Sequence, residues 1–276
     1  MKKVLVTTDF SEKSRAGLYF ALQLASQSQF DLWFFHSYNI ANEGQKNQSD
    51  IKVEKSEETN IQDKLENFVK EVYQMVKQVM PENKCVIKSS IIAQSSIMEY
   101  ASLEHFDFIC MSTHGAGKID RFFGTNTANI INQSPIPVIA VPQQYKPEKI
   151  DTILYASDLV HLETELEKVV SFAKPIKAAV ELLHFTSPVE KVMDDRSVAV
   201  VVEKISNYNI KIEQEKLNSA ESLVSNIESM VKRKNPSMLI MFTEQNRSFF
   251  QKIFYSGSSA GYAFNPQVPL LVFNKS

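Results

Sequence analysis

Short apolar runs alternate along the chain with longer stretches whose apolar residues recur every three or four positions, which predicts βαβ units and parallel sheets. Ile109–Met111 and Leu270–Phe273 are apolar at every position, as strands covered on both faces must be. The clearest helical stripe is Ile61, Leu65, Phe68, Val72, Met75 and Val79, spaced to lay one face on a sheet. Leu223, Ile227, Met230 and Val231 are read as its repeat in the second half. Ser11, just after the first apolar run, is placed to cap a helix.

The pattern occurs twice. Val4-Leu5-Val6-Thr7-Thr8-Asp9 is echoed by Ile153-Leu154-Tyr155-Ala156-Ser157-Asp158, and Leu32–Ser37 by Val180–Phe185. Phe106–Thr113 and Pro135–Val141 are echoed by Pro236–Thr243 and Gln267–Phe273. Four landmarks in one order argue for duplication. Asp9 and Asp158 are 149 positions apart, but Thr113 and Thr243 only 130, so the first half carries extra residues. The polar run Ala41–Asn60 is the natural place for them and reads as a mobile loop. The expected division is residues 1–144 and 149–276, with the insert at about 41–60 and the seam at Gln143–Glu148.

Composition narrows the class. A chain of 276 residues that is 43% hydrophobic and 22% charged can bury real cores. A net charge of −2 without a basic run argues against nucleic acid or an anionic membrane surface as a partner. The run Val4–Val6 is too short for a signal-peptide core, and no stretch is long enough to span a membrane. Cys85 and Cys110 stand apart from any metal-ligand spacing, as suits a reducing compartment, so a cytoplasmic protein is expected.

The segment most able to carry chemistry is Ser112–Thr127, which holds Gly115, Gly117 and Gly124, three of only seven glycines. Glycines after a buried strand, followed by hydroxyl residues at a helix start, let backbone N–H groups wrap a phosphate. There is no Gly-Lys-Ser/Thr of a Walker loop, and Asp120 stands where a dinucleotide fingerprint needs its third glycine. Neither a nucleophile elbow nor a metal cluster appears, so no catalytic or metal residue is assigned. His36 and His184 end matching strands and are read as satisfying backbone groups rather than as bases.

Thr113-His114-Gly115, then Gly124-Thr125-Asn126-Thr127, then Ser134-Pro135-Ile136-Pro137-Val138-Ile139-Ala140-Val141 resemble the nucleotide loop and last strand of universal stress proteins. Thr8-Asp9-Phe10-Ser11 resembles the end of their first strand. The resemblance implies an α/β fold of two tandem doubly wound domains, each a five-stranded parallel sheet flanked by helices, like the adenine-nucleotide alpha-hydrolases. It implies a stress-response binding protein rather than an enzyme, with ATP or AMP as ligand and Mg2+ accompanying ATP. Asp9 would lie by the adenine, Gly115, Gly117 and Gly124 would line the phosphate loop beside His114, and Thr125 and Asn126 would touch phosphate. Ser112 replaces the family's first glycine, and the spacing to Gly124 is one residue short.

In the second half, Thr243–Ser259 lacks the early glycine and carries Glu244 and bulky residues, so no ligand is expected there. The last strand is often where subunits pair in that family, so the halves are expected to meet there as an internal pseudo-dimer. A homodimer of the whole chain and an unidentified protein partner complete the expected associations. A ligand-free dimerisation scaffold, or an enzyme cleaving ATP or transferring adenylyl groups, are the alternatives.

Overall fold

The apolar runs become strands. A computed structural model describes residues 1–39, 48–82, 84–113, 125–186, 195–205, 208–242 and 267–274. Its strands are β1 (Lys2–Thr7), β2 (Phe30–Tyr38), β3 (Cys85–Ser89), β4 (Phe108–Ser112), β5 (Val138–Val141), β6 (Thr152–Ala156), β7 (Ala179–Thr186), β8 (Ile210–Lys216), β9 (Met238–Phe242) and β10 (Leu270–Phe273). Its helices are α1 (Arg15–Gln27), α2 (Gln48–Met75), α3 (Ala93–Leu103), α4 (Thr125–Gln133), α5 (Leu162–Ile176), α6 (Asp195–Ile205) and α7 (Leu223–Lys234).

The strands join in one ten-stranded sheet of order β3-β2-β1-β4-β5-β10-β9-β6-β7-β8. Pairing is parallel throughout each half. The halves meet where β5 and β10 run antiparallel, with Leu271 opposite Ile139 and Val272 opposite Val138. Prolines favour the edges of sheets, yet β5 and β10, which follow prolines 135, 137 and 269, are interior and the edges are β3 and β8. The prolines are tolerated because they precede the strands, where no ladder N–H is needed. The carbonyls of Pro137 and Pro269 still accept from Ile109 and Leu239 at 3.0 and 2.9 Å.

Alternation along the strands divides the core in two. Val4, Val6, Phe34, Ile139, Tyr155 and Leu271 face a layer built on α1, α2, α5 and α6. Leu5, Phe35, Ala140, Leu154 and Leu270 face α3, α4 and α7. Each layer runs across both halves, so the seam is buried on both faces.

Three expectations need correction. Within the polar run 41–60, residues 48–60 are not a loop but the opening turns of α2, which has 28 residues against 11 in α6. Gln, Lys and Glu are good helix formers, and 48–60 contains neither Gly nor Pro to stop the helix. The Tyr38 hydroxyl donates to Glu58 Oε1 at 2.9 Å and ties this part of the helix to the end of β2. The α2 stripe is buried at Leu65, Phe68 and Val72, but the helix ends at Met75, Lys77 turns to φ 57°, and Val79 is exposed. The Leu223 stripe belongs to α7, which precedes β9 as α3 precedes β4. The positional counterpart of α2 is α6, with Val198 and Val202 buried.

Candidate functional site

From β1 the chain crosses to β2 on one side, while β1 also pairs with β4 on the other, Val4 opposite Phe108 and Val6 opposite Cys110. This reversal of strand order opens a crevice beyond the carboxyl ends of β1 and β4, where ligands of doubly wound sheets bind.

The chain leaves β1 through a tight turn. Phe10 takes φ 64°, a left-handed conformation that costs a non-glycine residue and is here held by several bonds. Phe10 N–H donates to Thr8 Oγ1 and Ser11 N–H to Asp9 Oδ1, both at 3.0 Å. Ser11 then caps a 3-10 turn, Glu12–Ser14, by accepting from Ser14 N–H, as its position predicted. Asp9 is exposed at the tip of the turn.

Beneath it, the Phe10 ring lies 4.0 Å from the His36 ring and 5.9 Å from Phe68, with Lys64 Nζ 4.5 Å over its face. His36 Nδ1 sits 2.8 Å from Thr8 O, the backbone role expected of it. Burial is the largest influence on this imidazole and lowers its pKa, against the Thr8 bond and the Asp9 charge, which raise it.

At the end of β4, Ser112 and Thr113 are buried. Ser112 Oγ donates to Lys13 O at 2.8 Å, and the Thr127 hydroxyl donates to Ser112 O at 3.2 Å. These bonds tie the lead into α1, the end of β4 and the start of α4 together. Gly17 permits the approach: a Cβ there would lie 3.2 Å from Ser112 N and 3.3 Å from Met111 C. His114, Gly115, Gly117 and Gly124 lie outside the described residues. Thr125 and Asn126 open α4, and their side chains also lie outside what is described. The residues that hold the Asp9 turn, Thr8, Phe10 and His36, were not read as site residues in the sequence; their only signal was the recurrence of hydroxyl-Asp-apolar and of a strand-end histidine.

The second half repeats the turn except for the Ser11 cap, since Val160 stands at that place. Leu159 takes φ 64°, Leu159 N–H donates to Ser157 Oγ at 3.0 Å, and Val160 N–H to Asp158 Oδ1 at 3.0 Å. His184 Nδ1 lies 3.0 Å from Ser157 O. Below this turn, however, the Tyr155 phenol donates to buried Glu165 and lies 3.0 Å from Ser157 Oγ. In the first half Val6 and Ala16 stand at those places. The positions beyond β9, from Thr243 to Pro266, lie outside the described residues.

The model of the universal stress protein family matches residues 1–142, which include β1 to β5, the Asp9 turn and the glycine-rich segment. The chain belongs to the universal stress protein family. Among solved structures it is similar to a universal stress protein from Archaeoglobus fulgidus, with 17% identity, a TM-score of 0.71, and 99% of this chain and 98% of that one covered. A putative universal stress protein from Pseudomonas aeruginosa is 12% identical with a TM-score of 0.58, covering 99% and 93%. A functionally unknown protein from the same organism is 11% identical with a TM-score of 0.53, covering 99% and 92%. At these identities the likeness is one of fold, and it extends over the second half as well. No curated protein matches the chain. Among the described residues no group of three His, Cys, Asp or Glu could hold a metal ion, and no helix is long and apolar enough to cross a membrane.

Proposed function

We propose that this universal stress protein is a non-catalytic, cytoplasmic stress-response binding protein whose first half takes an adenine nucleotide, ATP with Mg2+ or AMP, beyond β1 and β4. The carrying observation is the adjacency at the switch point of the exposed Asp9 turn and the end of β4, from which the glycine-rich segment departs. Asp9 on its pinned turn is the group for the base, and Gly115, Gly117 and Gly124 with Thr125 and Asn126 at the start of α4 are those for the phosphates. Ser112 serves this site from beneath, because its hydroxyl is given to Lys13 O. His114 lies within the same segment. The second half, with Glu244 where Gly115's neighbour His114 stands in the first, takes no nucleotide.

A second reading, a ligand-free scaffold, is favoured by one feature: Ser112 stands in place of a glycine with its side chain locked inward. The test is to purify the chain, release and identify any bound nucleotide, and titrate ATP and AMP by calorimetry. Binding that is lost in Gly124→Val supports the nucleotide site. No heat at millimolar ATP overturns it in favour of the scaffold, and steady ATP turnover abolished by Asp9→Ala would make the chain an enzyme.

A further inference from the structure

The β5 and β10 pairing relates the halves position by position. Asp107 N–H donates to Lys3 O and Ser237 N–H to Thr152 O, each at 2.9 Å, so Lys3 and Thr152 are equivalent, as are Phe108 and Met238. Two equivalent grooves follow. One runs from the end of β5 past the amino ends of β10 and β9 to the start of β6. The other runs from the end of β10 past the amino ends of β5 and β4 to the start of β1.

The chain fills the first groove itself. Residues Pro142–Asp151 lie along it, Pro142 and Ile150 are buried, and the Tyr145 ring packs edge-on to Phe20 at 5.5 Å. Gln27 grips the segment at both backbone polar groups of one residue, accepting from Ile150 N–H at 2.7 Å and donating to Ile150 O at 2.8 Å. Among the described residues the second groove is an open cleft of about 410 Å3, lined by Lys2, Phe108, Pro137, Lys168, Ser171 and Phe273.

Its inner charge is positive. Lys2 Nζ donates to Ser171 O at 2.9 Å and Oγ at 3.1 Å and lies 5.5 Å over the Phe108 ring, while Lys168 Nζ lies 6.0 Å over Phe242. Both lysines are half-buried, whereas the acidic residues Asp107 and Glu167 are exposed, and Asp107 Oδ2 already accepts from Lys3 N–H at 2.7 Å. The floor is aromatic, with Phe108 and Phe273 6.4 Å apart edge to face.

We propose that this second groove binds a short extended peptide of a partner protein, one that seats an aromatic side chain against Phe108 and Phe273 and an acidic one by Lys2 and Lys168. The paired rings and the two half-buried lysines set this chemistry, an extended segment of the chain already fills the equivalent groove, and the cleft continues the buried seam between the halves. Nothing in this depends on nucleotide at the other end of the sheet.

The probe is a random peptide library displayed on phage and panned on the full chain, with the selected peptide measured by fluorescence anisotropy. The expected sequences carry an aromatic residue followed by an acidic one. Their affinity should fall at least about tenfold in Ser171→Trp, which plugs the cleft, and in Lys168→Glu, which reverses its charge. Both side chains are at least partly exposed, and unchanged thermal unfolding would show that either variant folds. No enrichment, a basic consensus, or binding untouched by both substitutions overturns the proposal. So does binding that arises only when Lys275 and Ser276 are removed, since the groove would then belong to the chain's own tail.

Discussion

His36 Nδ1 lies 2.8 Å from the carbonyl oxygen of Thr8, and because a carbonyl only accepts, the ring carries its proton on Nδ1. The imidazole thereby locks the turn that presents Asp9. Its folded pKa is below the ordinary 6.5, chiefly through burial, so over the interval beneath 6.5 the unfolded chain binds the proton that the folded one refuses. The His36 contribution to stability is therefore whole above 6.5 and is lost as pH falls below it. Thermal unfolding followed from pH 7.5 to 5 should show a falling Tm, with a shallower slope in His36→Gln. Parallel slopes for the two proteins would refute the assignment.

Gly17 faces the end of β4 so closely that a larger side chain must displace backbone. Gly17→Val is expected to destabilise by roughly 1–3 kcal/mol through overpacking, measured by urea denaturation. Gly17→Ala should cost less, because the gain in helix propensity offsets part of the crowding.

Gln27 joins the halves through Ile150, and its amide also donates to Ile176 O at 3.3 Å. In Gln27→Ala the buried Ile150 N–H loses its partner, for an expected loss of about 1–3 kcal/mol. Hydrogen exchange at the Ile150 amide should accelerate while the amides of β2 keep their protection. Equal acceleration everywhere would mean that the contact is not local to the seam.

Tyr155 and Glu165 form a buried polar pair beneath the Asp158 turn. Burial, and then the Glu165 charge, push the Tyr155 phenol pKa well above its usual value. Tyr155→Phe removes the donor and should destabilise by about 1–3 kcal/mol. Adding Glu165→Leu should restore much of that loss, because the buried carboxyl that had accepted from Tyr155 is then gone. A double-mutant cycle in urea measures the coupling, and simple additivity would contradict it.

The local pattern of the sequence was enough for the strands of the repeated landmarks, the helix stripe at Leu65, Phe68 and Val72, the Ser11 cap and the backbone role of the histidines, but not for β3 and β8. The strands, the stripe and the cap depend on residues within one element or one turn, where periodicity and side-chain chemistry speak directly, whereas the His36 bond to Thr8 spans 28 positions. It misjudged residues 48–60 because their polarity fits a loop and an exposed helix alike, and hydrophobic periodicity is silent where nothing is buried. It matched α7 to α2 because two apolar stripes look alike until the strands between them are ordered.

What the sequence alone determined is the alternation of elements, the order of its repeated landmarks and the glycine-rich segment after β4, all encoded by neighbours along the chain. Only the tertiary structure decided that β5 pairs with β10 in a single ten-stranded sheet, that Phe10 and Leu159 adopt left-handed turns, and that one seam groove is filled while its equivalent is open. The sheet and its grooves rest on contacts between residues more than a hundred positions apart, such as Gln27 with Ile150 and Lys2 with Ser171, while the turns are fixed once a strand-end histidine meets the carbonyl of Thr8 or Ser157, and no local pattern carries either pairing.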